Sequence, residues 1–349
     1  MKLSIIVPVY NAEKYLDRLF TSIFRQGLME DDYEVIVVND GSSDMSGAIC
    51  KKYCANHSNF KYFEQNNQGV SIARNTGIDH SNGEYLTFAD NDDFFKDLGL
   101  SKIFELIDQR QDVDIIQYNS SYYVANDHIV DLTIKDNPQI LFDGFARDLI
   151  CEEGLPAVIW TFLFRRNFIN EKRIRFMPYA YGEDVYFMGM CFLQNPHVIK
   201  TNLNIYMYFV NEESASGSSK RNAKKMKRHV SDYLSSYENI KEQMSISFGE
   251  DKEVIDKCIA VINSRKSTCY SRILSCSLNK TDFEAVKQRM IDNSFYPIIH
   301  WNNQVYTKIV CTICNFIFSN YLLYKPTSSF FTHIFTPLIL PVIRKHLVK

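Results

Sequence analysis

The sequence predicts an α/β fold: a mostly parallel sheet with helices on both faces, followed by a C-terminal helical region. Three observations predict it. Over the first third, short apolar runs alternate with helix-period stretches of about ten to fifteen residues, the pattern of βα units around a parallel sheet. The runs stop abruptly on polar residues, at the strand ends where such sheets bind ligands. After about residue 220 the pattern turns helical and basic, from Lys220 and Arg221 through Lys224, Lys225, Lys227 and Arg228. We read 1–219 as the α/β domain and 220–349 as the helical region.

In chain order, Leu3–Val7 is a buried strand that ends at Pro8. Tyr15, Leu16, Leu19, Phe20, Ile23 and Phe24 share one face at helical spacing. Tyr33–Val38 is a second strand, closed by Asn39-Asp40-Gly41, and a helix from about Asp44 leads to a third strand at Phe60–Phe63. A helix follows Gly69. Next comes the strand Tyr85–Ala89, which stops on Asp90-Asn91-Asp92-Asp93, three carboxylates in four residues. Val113–Tyr118 and Val158–Phe164 are strand-like, Ser120–Asn137 reads as a polar insertion, and Gly182 opens a helix. Pro8-Tyr10-Asn11, Asn39-Asp40-Gly41 and Asp90–Asp93 would then share one crevice at the carboxyl ends of the strands.

Composition narrows the function. A hydrophobic fraction of 46% excludes global disorder, and a net charge of −2 gives no reason to expect a nucleic-acid partner. No signal-peptide pattern is expected at Met1-Lys2. Nine scattered cysteines suit a reducing cytoplasm, and Cys311-x-x-Cys314 reads as a pair of core thiols. Asp292 is the last acidic residue. Beyond it lie Lys308, Lys325, Arg344 and Lys345 and the apolar runs Ile309–Tyr324 and Phe330–Ile343, each interrupted by Asn or Pro. Neither run is a bilayer span; they suit a membrane-interfacial segment or a helical cap.

In Asp90-x-Asp92 alternation along an extended chain puts two carboxylates on one side, where a hard cation such as Mg²⁺ or Mn²⁺ can bind. A solvated acidic turn explains the four residues equally well. The wider set decides. Ile6-Val7-Pro8-Val9-Tyr10-Asn11, Val38-Asn39-Asp40-Gly41-Ser42-Ser43-Asp44, Asn67-Gln68-Gly69-Val70-Ser71-x-Ala73-Arg74-Asn75-x-Gly77, Gly83-Glu84-Tyr85-Leu86-x-Phe88-x-Asp90-x-Asp92-Asp93 and Gly182-Glu183-Asp184 resemble, in order and spacing, the family 2 glycosyltransferases.

The resemblance implies a GT-A fold, a UDP-sugar donor, Mn²⁺ or Mg²⁺, and inversion at the anomeric carbon. It places Pro8, Tyr10, Asn11, Asn39, Asp40, Gly41, Asn67 and Gly69 around the nucleotide, with Asp40 on the base and Tyr10 stacked on it. Arg74 and Asn75 would face the nucleotide, and Asp90 and Asn91 the donor. Asp92, with Asp90, would ligate the metal, while Asp93 would cap the following helix. Asp184 would be the catalytic base and Glu183 would orient the acceptor. The chain departs from the family pattern at Asn39, where a second Asp is common, and at Phe209, where a basic residue is common. The Lys220–Arg228 cluster either replaces that cation or is a solvated helix face.

The expected enzyme is therefore a hexosyltransferase or N-acetylhexosaminyltransferase of cell-surface polysaccharide assembly, such as capsule, exopolysaccharide or lipopolysaccharide. Its acceptor would be a lipid-linked glycan, and it would work at the cytoplasmic face of the membrane. The rival readings are a non-catalytic sugar-nucleotide-binding or scaffold protein and a nucleotidyltransferase. The latter normally needs a Gly-rich basic loop that Pro8-Val9-Tyr10-Asn11 lacks.

Overall fold

The structure, a computed structural model, describes residues 1–108, 110, 112–124, 132–134, 137–179, 181–210, 223–274, 276–292, 295–297 and 305–330. The chain forms two compact units, Met1–Asn211 and Glu212–Lys349.

The first unit opens with β1 (Leu3–Val9), α1 (Leu16–Phe24), β2 (Tyr33–Asn39), α2 (Ser46–Asn56), β3 (Phe60–Glu64), α3 (Val70–Asp79) and β4 (Tyr85–Phe88). It continues with β5 (Phe94–Phe95), α4 (Gly99–Ile107), β6 (Ile115–Tyr123), β7 (Ile140–Phe145) and α5 (Ala146–Glu153). It closes with β8 (Phe162–Arg165), α6 (Arg166–Glu171), α7 (Glu183–Phe192) and β9 (His197–Phe209). The sheet runs β3-β2-β1-β4-β8-β6-β9-β5, with β7 on β9. The stretch β3-β2-β1-β4 is parallel, and beyond it antiparallel pairs enter at β8, β5 and β7.

β1 and β2 are buried along their whole length, which is why they read as unbroken apolar runs. α1 covers them with Leu16, Leu19, Phe20 and Ile23. α3 approaches from nearby: a Cβ on Gly77 would lie 2.3 Å from Ile6 Cγ2, so only glycine lets the helix sit this close to β1. One buried charge lies among the apolar residues. Glu34 accepts from Ser4 Oγ (2.6 Å), Asn82 N (2.6 Å) and Lys61 Nζ (2.5 Å), tying β1, β2, β3 and the turn before β4.

Three strand boundaries differ from expectation. β1 continues through Pro8 to Val9. The Pro8 carbonyl points toward Asn91, so its missing N–H faces the side where pairing with β4 has already ended at Ile6↔Phe88. β8 begins only at Phe162: the ladders with β4 and β6 cover Phe162–Arg165, and before them β6 holds the chain by single bonds from Tyr118 to the Thr161 and Trp160 carbonyls. β6 runs on to Tyr123, pairing with β9 as far as Tyr123↔Phe209, so the insertion expected from Ser120 starts later. Most of its tip lies outside the described residues.

The second unit contains α8 (Ala223–Phe248), α9 (Lys252–Leu274), α10 (Lys280–Asp292), α11 (Val305–Ser319) and α12 (Tyr321–Phe330). Tyr324 anchors α12: it is fully buried, accepts from Leu278 N and donates to the Ile273 carbonyl. Phe318 of α11 packs on Tyr270 and Phe283. The helices of this unit thus pack on one another, while Ile309, Ile313 and Phe316 are exposed on one face of α11, as is Leu322 on α12. Cys311 is buried and Cys314 half-buried; both thiols are free, and burial pushes Cys314 up to about 11. Lys227 pairs with Asp282 and Arg228 with Asp232, a helix-face arrangement. No described helix is long and apolar enough to cross a membrane. Lys220, Arg221 and the run beyond Phe330 lie outside the described residues.

Candidate active site

The parallel order β2-β1-β4 brings the carboxyl ends of these strands side by side, and the motifs collect there. Asp40, just past β2, is 3% exposed. Its Oδ1 accepts from Gln65 Nε2 (2.8 Å) and Gln68 N (2.9 Å), and its Oδ2 accepts from Gly69 N (2.8 Å). A carboxylate has about four acceptor positions, so roughly one remains, on Oδ2. Gly41 has φ +71°, and a Cβ there would lie 2.9 Å from Asn67 N; glycine therefore allows the two loops to touch. Asn39 donates to Tyr62 OH (2.9 Å) and accepts from Ser42 N (3.1 Å), acting as a turn-former. Asn11 accepts from Ser43 N (2.8 Å), and its own N–H donates to Ser42 Oγ (3.1 Å). Tyr10 projects beside them, 49% exposed. Asn91 Nδ2 donates to the Pro8 carbonyl (3.2 Å), joining this corner to the acidic loop after β4.

On the other side of that loop, Arg74 gathers three carboxylates. Its Nη1 donates to Asp184 Oδ1 (2.7 Å) and Glu183 Oε1 (3.3 Å), and its Nη2 to Asp90 Oδ1 (2.9 Å). The arginine side chain is 3% exposed, against 27% for Asp90 and 16% for each of Glu183 and Asp184. Glu183 and Asp184 occupy the first turn of α7, after Gly182 in a left-handed conformation (φ 78°), where the helix dipole favours acids. Burial pushes Asp184 up to about 8; Glu183 and Asp90 add to this and Arg74 opposes it. Burial also raises Glu183. For Arg74, burial alone would lower the pKa, but Asp184, Asp90 and Glu183 outweigh it and raise it.

The expected roles meet these contacts. Arg74, expected to face the nucleotide, engages three carboxylates with its terminal nitrogens. Asn75, expected beside it, bonds to the backbone of Phe176. Its Nδ2 donates to the Phe176 carbonyl (2.8 Å) and its Oδ1 accepts from Phe176 N (2.8 Å), clamping α3 to the segment before α7. Asp93 caps no helix: it is 1% exposed, and its Oδ1 accepts from Phe209 N (2.7 Å). Burial, then the Asp90 charge, pushes Asp93 up to about 8.

Sequence reasoning missed Arg18. Its guanidinium lies 4.3 Å from the Phe209 ring and 4.7 Å from that of Phe94, and its Nη2 donates to the Asp92 carbonyl (2.5 Å). A cation thus stands at the departure noted at Phe209, supplied from α1 instead of β9. Tyr206 was also missed; it is fully buried, and its hydroxyl accepts from Asp90 N (3.1 Å). Neither had a local signal, since both act on residues more than seventy positions away. A cavity of about 600 Å³ opens at the opposite, amino ends of the strands, lined by Lys2, Glu84, Arg165 and Arg166 among others. No motif residue named above other than Glu84 and Tyr85 reaches it.

Residues 4–173 match the family model described as Glycosyl transferase family 2. The N-terminal unit belongs to glycosyltransferase family 2. Among curated relatives of this family 2 unit is glycosyltransferase GlyA of Streptococcus pneumoniae, 30% identical over 62% of this chain and 31% of its own. Another is the poly(ribitol-phosphate) β-N-acetylglucosaminyltransferase TarP of Staphylococcus aureus, 26% identical over 62% of this chain and 65% of its own. The matches span less than two thirds of the length of these relatives. The fold is that of GT-A enzymes. The crystal structure of S. aureus TarS 1-349 in complex with UDP-GlcNAc superposes over 95% of this chain and 91% of its own, with a TM-score of 0.68 at 18% identity.

Proposed function

We propose that the chain transfers a sugar from a UDP-sugar to a hydroxyl of a cell-surface glycan acceptor, with inversion. The observation that carries this reading is the meeting of Asp90, from the donor-side loop, and Asp184, at the start of α7, on one guanidinium. Asp184 is the base. It takes the proton of the acceptor hydroxyl as that oxygen bonds to the anomeric carbon from the face opposite UDP, while the bond from that carbon to the diphosphate oxygen breaks. A base whose pKa lies near working pH transfers protons efficiently, and burial brings Asp184 into that range. Glu183 orients the acceptor, and the open face beside Tyr10 and Asp40 receives the uracil.

The donor set fits Mn²⁺ or Mg²⁺. Asp90, Asp92, Glu183 and Asp184 offer hard oxygens and carry more negative charge than Arg74 balances. Among the described residues no group of three or more His, Cys, Asp or Glu is placed to hold an ion. Asp92 and Asp90 would therefore share it with diphosphate oxygens and water. When bound, the cation supplies charge neutralisation for the leaving diphosphate.

UDP-GlcNAc in the TarS complex and the N-acetylglucosaminyl transfer for which TarP is named favour an N-acetylhexosamine donor. The exposed apolar face of α11, in a region without acidic residues, favours a lipid-linked acceptor met at the cytoplasmic face of the membrane. UDP release, measured with a panel of UDP-sugars and Mn²⁺, tests the reading. Turnover is expected with UDP-GlcNAc or a close analogue. UDP binding without release from any donor would leave a non-catalytic sugar-nucleotide-binding protein.

A further inference from the structure

Arg74 is held from several sides. It sits on α3, which Gly77 seats directly on β1 and Asn75 fastens to the backbone of Phe176. The Phe176 ring lies 5.3 Å from the guanidinium and is itself stacked on Phe187 of α7, centroids 4.1 Å apart at 6°. The guanidinium is planar, and its two terminal nitrogens point in fixed directions. One nitrogen holds Asp184 and Glu183, and the other holds Asp90. The spacing between the acceptor-side and donor-side carboxylates is therefore set by a single rigid fork.

We propose that Arg74 is a positioning residue that aims Asp184 relative to the donor-side carboxylate Asp90, so that the base and the departing diphosphate stand in line. This rests on the reading of Asp184 as the base. A lysine carries the same charge but offers a point, not a fork, and cannot hold both carboxylates at a fixed separation.

The test uses the full chain with Arg74→Lys, Arg74→Gln, Asp184→Asn and the double variant Arg74→Lys/Asp184→Asn. UDP release on transfer of GlcNAc from UDP-GlcNAc to acceptor or water is followed at saturating donor, UDP affinity is measured by calorimetry with and without Mn²⁺, and denaturant midpoints are taken on metal-free protein. Arg74→Lys is expected to bind metal-free UDP within about threefold of the parent, because no uridine contact is lost. Its turnover should fall about 10²-fold through misalignment of the reacting groups.

In the Asp184→Asn background, the same Arg74→Lys change should cost almost nothing further in turnover, since Arg74 acts through Asp184. The midpoints of the metal-free variants should be non-additive in the same sense. Full, additive losses in the double variant would overturn the proposal, as would parental turnover in Arg74→Lys. So would a collapse of the fold in both Arg74 variants, which would make the residue a structural keystone only. Near-parental turnover of Asp184→Asn alone would instead defeat the base assignment, a distinct failure.

Discussion

Glu34 offers the sharpest physical test of the fold, because a single carboxylate at 0% exposure holds four segments. In Glu34→Gln the carbonyl oxygen can keep Ser4 Oγ and Asn82 N, but the amide NH₂ then faces the Lys61 ammonium. One charge-assisted hydrogen bond is lost, worth about 1.5–3 kcal/mol. Lys61 is 38% exposed and recovers part of this in water, so the expected loss is about 2 kcal/mol. Glu34→Leu leaves Asn82 N and the Ser4 hydroxyl proton without their acceptor and turns Lys61 out to water, and should cost about 3 kcal/mol.

The pH dependence distinguishes charge from shape. Burial would raise the Glu34 pKa, but hydrogen bonds from Lys61, Ser4 and Asn82 outweigh it and hold the group below its ordinary 4.5. A depressed carboxyl stabilises the fold above its unfolded pKa and loses that contribution as pH falls through the folded value. Parent and Glu34→Gln should therefore differ at pH 7 and converge in acid, as pH falls past the ordinary 4.5 and through the lower folded value. Urea unfolding followed by fluorescence suits the measurement: in a Trp301→Phe background, Trp160 is the one tryptophan left and reports on the N-terminal unit. Equal midpoints at pH 7, or a gap that persists unchanged into acid, would refute the charged, paired Glu34.

Asp184→Asn should lower turnover by about two to four orders of magnitude while UDP-sugar binding survives, and the parent's rate should rise with pH toward about 8 as the base ionises; near-parental turnover would assign the base elsewhere. Asp92→Asn should weaken Mn²⁺-dependent UDP binding, and unchanged calorimetric affinity would remove Asp92 from the metal. Gly77→Ala should destabilise by about 1–3 kcal/mol through overpacking against Ile6, with Ile6→Ala lessening the clash in the double variant; additive losses in urea would argue otherwise. Ile313→Glu combined with Phe316→Glu, both on the exposed face of α11, should reduce flotation with anionic liposomes without changing UDP affinity. Undiminished flotation would remove membrane docking by that face.

What the sequence made legible is local in origin. The alternation from β1 to β4, the helix stripe of α1 and the polar stops at strand ends are written within a few residues of one another, so period and punctuation suffice to find them. Glu34 was hidden inside an apolar run because its partners Ser4, Lys61 and Asn82 come from elsewhere in the chain. Arg74 sits in a recognisable motif, yet its destination depends on α7, about 110 positions later. β5 is two residues long and exists only because Met207 and Tyr206 arrive beside it. The antiparallel half of the sheet carries no local mark, since the same apolar run can pair either way.

The acidic loop after β4 is supported from both ends of its unit, by Arg18 on α1 and by Tyr206 and Phe209 on β9. On a ribosome these supports emerge at different times. The motifs through Asp92 are synthesised early, but the loop lacks its β9 buttress until Phe209 has left the exit tunnel. Residues 4–173, the stretch shared with the family model, end before that point. A fragment cut there carries the loops of Asp40, Asp90 and Asp92 without the strand that fixes Asp90 and Asp93, and the nascent chain passes through the same state. The fully supported acidic loop is thus a late product of translation, complete only once the chain has been made through Phe209.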